Sequence, residues 1–204
     1  MLKIGWAARD FTPVRPAMLQ GQMHVRVARR GLDPLMITAM ALDGDGAQVV
    51  LVSCDLPFIT EEIRDDVRAR LRTEAPDLPS EGVVIATTHT HTAPVFKDGF
   101  YLYPGGDVMT PEECADWIAG HITAAVAEAW RTRTPHRTAY AFGHAVVGHN
   151  RRAVFTDGTA VMYANTNNPN FLHIEGYEDH SLDLIFAWDA AGRLTGVVVD
   201  IPCP

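Results

Sequence analysis

The sequence predicts a mixed α/β fold, a sheet with hairpins interrupted by two main amphipathic helices, on three observations. Short runs rich in Val, Ile, Leu and Met recur along the chain. Two of them are joined by Asp43-Gly44-Asp45-Gly46, a hairpin signal because glycine accepts positive φ at no steric cost. Two longer stretches carry apolar residues at three- and four-residue steps, the period of a helix with one buried face. Hairpin strands with helices between them define a sheet covered by helices.

Taken in order, residues 2–10 read as a strand ending in Asp10-Phe11-Thr12-Pro13. Residues 35–42 and 48–54 are the two hairpin strands. A helix follows from Glu61 to Arg72: Thr60 is placed to cap it, Glu61 and Glu62 suit its positive end, and Ile63, Val67 and Leu71 recur every fourth residue. Residues 82–88, Gly-Val-Val-Ile-Ala-Thr-Thr, form a continuous apolar strand, read as buried on both faces. The second helix is the clearest element. Thr110 caps it, Pro111 takes its first position and Glu113 completes a capping box. Cys114, Trp117, Ile118, His121, Ile122, Ala125, Val126, Ala129 and Trp130 then make one apolar stripe, on which His121 reads as a core histidine. Strand-like runs near 137–147, 159–164 and 182–188 follow, and Asp189-Ala-Ala-Gly192-Arg turns into a last strand, 194–201. That strand stops at Pro202-Cys203-Pro204 without a polar tail, which reads as the cut end of a fragment.

Composition narrows the function classes. With Lys+Arg 17 against Asp+Glu 25 the 204-residue chain carries a net charge of −8, which argues against nucleic acid as main partner. The 47% hydrophobic content excludes disorder, and the length is that of one continuous domain. No apolar run reaches the roughly 18–20 residues of a membrane span. Three widely spaced cysteines, Cys54, Cys114 and Cys203, imply no disulfide framework. With no signal-peptide pattern at Met1-Leu2-Lys3-Ile4, a reducing, cytoplasmic compartment is expected. Oligomeric state is not readable.

The chemistry-bearing feature is Thr87-Thr88-His89-Thr90-His91-Thr92, at the end of the apolar strand. In extended chain, side chains two apart share a face, so His89 and His91 point together. They leave the carboxyl end of a strand, where α/β proteins collect their sites. Neutral imidazole ligates zinc, and two on one face supply half a tetrahedral shell. The bland alternative, a polar strand end, fits less well because two histidines amid four threonines is costly packing. A second feature, Gly148-His149-Asn150-Arg151-Arg152, can bind a carboxylate, a phosphate or a developing oxyanion, although solvated loop charges explain the composition more simply. A third, His173-Ile-Glu175-Gly176-Tyr-Glu178-Asp179-His180, has ligand-type residues at no specific ligand spacing. Cys54 reads as core, and Asp55 as a turn acid or a support for the site. No Gly-x-Ser-x-Gly, phosphate loop or Cys-x-x-Cys is present.

Asp10-Phe-Thr-Pro13, Val52-Ser-Cys-Asp55, Ala86-Thr-Thr-His-Thr-His-Thr-Ala-Pro94, His149-Asn-Arg151, Glu175-Gly with Asp179 and Leu182-Asp-Leu, and the final Val-Val-Asp-Ile-Pro-Cys-Pro204 occur in this order. The set resembles the N-terminal portion of the catalytic domain in the neutral/alkaline (non-lysosomal) ceramidase family, over nearly all 204 residues. The Thr-His-Thr-His block is its specific part. The resemblance implies a zinc-dependent amidohydrolase that splits the N-acyl bond of a ceramide or related lipid amide. It places His89 as a zinc ligand, His91 as an active-site residue and Arg151 as a substrate and active-site residue. A second zinc histidine of the family, in a His-Pro pair, aligns with Cys203-Pro204, so Cys203 is either a thiolate ligand or a bystander. The family's Gly-Gly after the block is Val95-Phe96 here, and its serine, Glu and Tyr lie further downstream. The 204-residue chain alone is therefore expected to be catalytically incompetent. Two other functions stay open: a metal-dependent hydrolase of a non-ceramide substrate, and a non-catalytic homologue kept for binding or assembly. A His-x-His barrel amidohydrolase is disfavoured, because such barrels run to about 250 residues with an alternating strand–helix rhythm.

Overall fold

A computed structural model describes residues 2–202. The chain divides into two compact units, residues 1–136 and 137–204.

In the first unit, strand β1 (Lys3–Asp10) is followed by two short strands, β2 (Ala17–Met18) and β3 (Val27–Ala28), then β4 (Met36–Gly44) and β5 (Ala47–Cys54). Helix α1 (Glu61–Glu74), a 3-10 turn at Ser80–Gly82, strand β6 (Val83–Thr87) and helix α2 (Pro111–Arg131) come next. Strand β7 (Thr134–His144) opens here, pairing Pro135 and Thr134 with Lys3 and Ile4, and runs on into the second unit. The resulting order is β7-β1-β4-β5-β6. All neighbours are antiparallel except β5 and β6, which run parallel. The β4–β5 hairpin closes on a two-residue Asp45-Gly46 turn, the length the Asp-Gly pair favours.

The register explains the apolar face that the helices cover. Ile37, Ala39 and Ala41 of β4 stand opposite Cys54, Val52 and Val50 of β5, and all six are buried. The period of two sends them to the same face, where α1 contributes Ile63, Val67 and Leu71 and α2 contributes Ile118, Ile122, Val126 and Trp130 to one core. Helix α1 is capped by Thr60, whose hydroxyl accepts from Ile63 N. In α2 the Thr110 hydroxyl accepts from Glu113 N at 3.1 Å, and the Glu113 carboxylate accepts from Thr110 N at 2.8 Å. Trp117 Nε1 donates to Phe11 O at 2.8 Å, tying α2 to the segment after β1. Helix α2 lies tightly on β1 at Gly5, where a Cβ would lie 1.9 Å from Ala129 O. Core Cys54 and Cys114 are free thiols whose burial pushes both up to about 12.

The mixed class and both helices agree with the sequence reading. Strand β6 departs from it. Rather than lying buried on both faces, it is the edge strand of its sheet, with Val83 buried but Val84 52% exposed. A short apolar run does not distinguish a central strand from an edge strand covered on one side.

The second unit holds the rest of β7, β8 (Arg152–Phe155), β9 (Ala160–Met162), β10 (Phe171–Ile174), β11 (Ser181–Asp189) and β12 (Leu194–Asp200). Strands β12-β11-β7 are ordered in one sheet and β10-β8-β9 in another. β8 and β10 were not legible as strands, being four residues each without a clean alternation.

Candidate functional site

Strands β5 and β6 are the parallel pair of the first unit, so their carboxyl ends lie side by side, with Cys54 opposite Thr87. The segments leaving those two ends are tied together. Thr88 N donates to Cys54 O at 2.9 Å, and Thr88 Oγ1 donates to Asp55 Oδ1 at 3.0 Å. The other oxygen of Asp55 accepts from Met36 N at 2.8 Å, so one carboxylate spans β4 and the start of the histidine block. Asp55 thus ties the start of the histidine block to β4.

The two imidazoles meet. Their Nε2 atoms are 3.4 Å apart, with ring centroids at 5.0 Å and planes at 73°. The cause is not the extended chain the spacing implies. β6 stops at Thr87, and His89 sits at φ +59°, in the left-handed region few non-glycine residues enter. That turn, rather than strand alternation, brings the rings together. His89 Nδ1 is 2.5 Å from Pro57 O. A carbonyl only accepts, so Nδ1–H donates in this contact and Nε2 is the nitrogen turned toward His91.

This arrangement fits a zinc ion. Two nitrogens bound at about 2.0–2.1 Å to a tetrahedral centre stand about 3.3 Å apart, close to the separation found here. The carbonyl on the far nitrogen of His89 is the usual orienting partner of a metal-bound histidine. Among the described residues no group of three or more His, Cys, Asp or Glu converges for a metal, so the two imidazoles stand as a pair. Cys203, the other candidate ligand, lies outside the described residues.

One further contact fixes His91 and ties it to Gln20. Arg26 Nη2 donates to His91 O at 2.5 Å and to Gln20 O at 3.0 Å. Sequence reasoning missed Arg26 and Pro57 because nothing local marks them: Arg26 acts across 65 positions, and Pro57 acts through its backbone. The threonines of the block face elsewhere. Thr90 and Thr92, whose hydroxyls are 3.0 Å apart, line a cavity of about 490 Å³ with Asp55, Leu19, Leu35 and Pro94; neither imidazole lines it. His121, expected in the core, is only half-buried, its Nδ1 at 2.8 Å from Trp117 O and its ring against that indole.

In the second unit, the two polar clusters read separately from the sequence become one. Glu178 Oε1 accepts from Asn150 N at 2.9 Å, while Oε2 lies 3.0 Å from His180 Nε2 and 3.3 Å from His149 Nδ1. The Asn150 N–H, with His180 behind it, holds the Glu178 carboxyl below the usual carboxylate range. Asn150 Nδ2 donates to Glu175 O and Tyr177 O, and Arg152 pairs with Glu175 at 2.8 Å. Arg151, between these anchored neighbours, leaves its guanidinium 5.1 Å from the Tyr163 ring centre. His173 and Asp179 stay outside the cluster, bonded to Ile174 O and Ser181 N.

The fold is that of part of the solved ceramidases. A ceramidase complexed with C2 aligns over 98% of this chain and 31% of its own, at TM-score 0.70 and 20% identity. The neutral ceramidase structure from Pseudomonas aeruginosa aligns over the same shares at TM-score 0.73 and 21% identity. In sequence, the chain is 25% identical over 158 residues to the neutral ceramidase of Pseudomonas aeruginosa PAO1, covering 77% of this chain. It spans about a fifth of that relative's length, 22%. No family model matches the chain. The resemblance to the neutral ceramidase family read from the motifs is borne out by these similarities.

Proposed function

We propose that this chain forms part of a zinc-dependent, ceramidase-like hydrolase that cleaves the N-acyl amide bond of a lipid substrate. The observation that carries the reading is the 3.4 Å approach of the His89 and His91 Nε2 atoms, with the opposite nitrogen of His89 bonded to Pro57 O. His89 would hold the ion, and Cys203 stays, as the resemblance implies, either a thiolate ligand or a bystander. Zinc, when bound, polarises a carbonyl and brings the pKa of its water toward about 7. His89 is held in one orientation because its Nδ1–H donates to Pro57 O. His91, beside it, would orient water or substrate. Arg151, flanked by the anchored Asn150 and Arg152, would offer its guanidinium to developing negative charge. The similarity to neutral ceramidases supports the amide substrate.

The test is zinc binding by the purified chain together with turnover of a fluorogenic N-acyl sphingoid analogue by the protein in its full natural length. Stoichiometric zinc, lost with His89→Ala, and amide turnover lost with the same substitution are expected. A chain that takes up no zinc and is indifferent to His89→Ala would overturn the metal reading in favour of a binding role. Zinc with ester or phosphoester turnover but none on amides would move the substrate elsewhere.

A further inference from the structure

The loop between β2 and β3 presses on the histidine block from a distant part of the sequence. It is closed by Leu19 N donating to Arg26 O at 2.9 Å and joined to the block by Gln20 N donating to Ala93 O at 2.9 Å. Gly21, at φ +106°, lies directly against His91. A Cβ there would fall 2.5 Å from His91 Cγ, 2.6 Å from its Cβ and 2.9 Å from its Cα. Real side chains do not pack so closely, so the bare glycine backbone is the surface on which this ring rests. From the same loop, Arg26 bridges the carbonyls of Gln20 and His91. Planar guanidinium suits such a two-carbonyl bridge, whereas a lysine presents one point charge.

We propose that Gly21 and Arg26 are positioning residues for His91, holding its imidazole against His89 so that both Nε2 atoms converge. The inference rests on the reading of His91 as a metal-site residue. Neither residue need touch the ion. Gly21 sets the ring's location by contact, and Arg26 locks the backbone from which the ring projects. Residues outside a metal's own ligands that fix the site typically alter metal affinity or activity by about 10–100-fold when removed.

The experiment compares the unaltered chain with Gly21→Ala, Arg26→Ala, Arg26→Lys and His91→Ala, by zinc titration and by the nuclear Overhauser contact between the two imidazole rings in zinc-free protein. Circular dichroism checks each fold. Gly21→Ala and Arg26→Ala are expected to lose the ring-to-ring contact and to weaken zinc binding by about 10–100-fold, with Arg26→Lys between them and the unaltered chain. If Gly21→Ala fails to fold, Arg26→Ala decides alone. An unchanged ring contact in the folded variants overturns the proposal, whatever the zinc result. Zinc binding absent from the unaltered chain, with the ring contact present there and lost in the variants, overturns the metal reading and leaves the positioning role standing.

Discussion

At the scale of single residues, the histidine pair was legible from its spacing, but its geometry was not. Alternation in extended chain and a left-handed turn at His89 give the same outcome, two rings side by side, by different routes. Only the second depends on the groups that hold the turn. Asp55 is one of them, joining Met36 N to the Thr88 hydroxyl. Asp55→Ala leaves the Met36 amide without its acceptor and is expected to cost about 1–3 kcal/mol in urea denaturation, together with weaker zinc binding. A second residue-level prediction concerns acid. The side-chain hydrogen bond from Arg133, then that from Gln48, holds the Asp43 carboxyl below its ordinary value. A carboxyl depressed in the folded state adds stability above its unfolded pKa, near about 3.9, and that contribution is lost as pH falls through the folded value. Asp43→Asn is therefore expected to lower stability at neutral pH and to flatten its decline below about pH 4, read from denaturation midpoints across the acid range. Arg26 carried no sequence signal, since its partners lie in a different segment.

Elements were read best where local chemistry is redundant. Helix α2 is marked by Thr110, Pro111 and Glu113 independently of its apolar stripe, and the capping box forms as those residues imply. Thr110→Ala removes the hydroxyl that accepts from Glu113 N and is expected to cost about 1 kcal/mol, measured by thermal or urea unfolding. Contact between α2 and β1 is less forgiving. Gly5→Ala drives a methyl into Ala129 O, so a loss of about 3 kcal/mol or more is expected by the same measurement. β2 and β3, two residues each, have too few positions for a period to register. The error at β6 has a different cause: hydrophobic content reports that a strand packs against something, not on how many sides. Val84 and Ala86 are exposed there, although both belong to the apolar run.

For the whole molecule, a net charge of −8 sets long-range behaviour. The chain is expected to pass heparin or duplex DNA without retention at physiological salt, where phosphate binding needs clustered cations. By itself the 204-residue chain is expected to take up zinc without measurable turnover of a fluorogenic ceramide analogue, since it spans 22% of the related ceramidase and its described residues bring no third ligand to the histidine pair. Cys54 and Cys114, sealed in the core with thiols raised to about 12, carry one more consequence. Alkylating reagents attack thiolates, and at neutral pH these two sulfurs offer almost none until the sheet and helices part. Iodoacetamide uptake at those positions, followed by mass spectrometry, thus becomes a clock for global opening of the first unit, ticking at the rate at which its interior is laid bare.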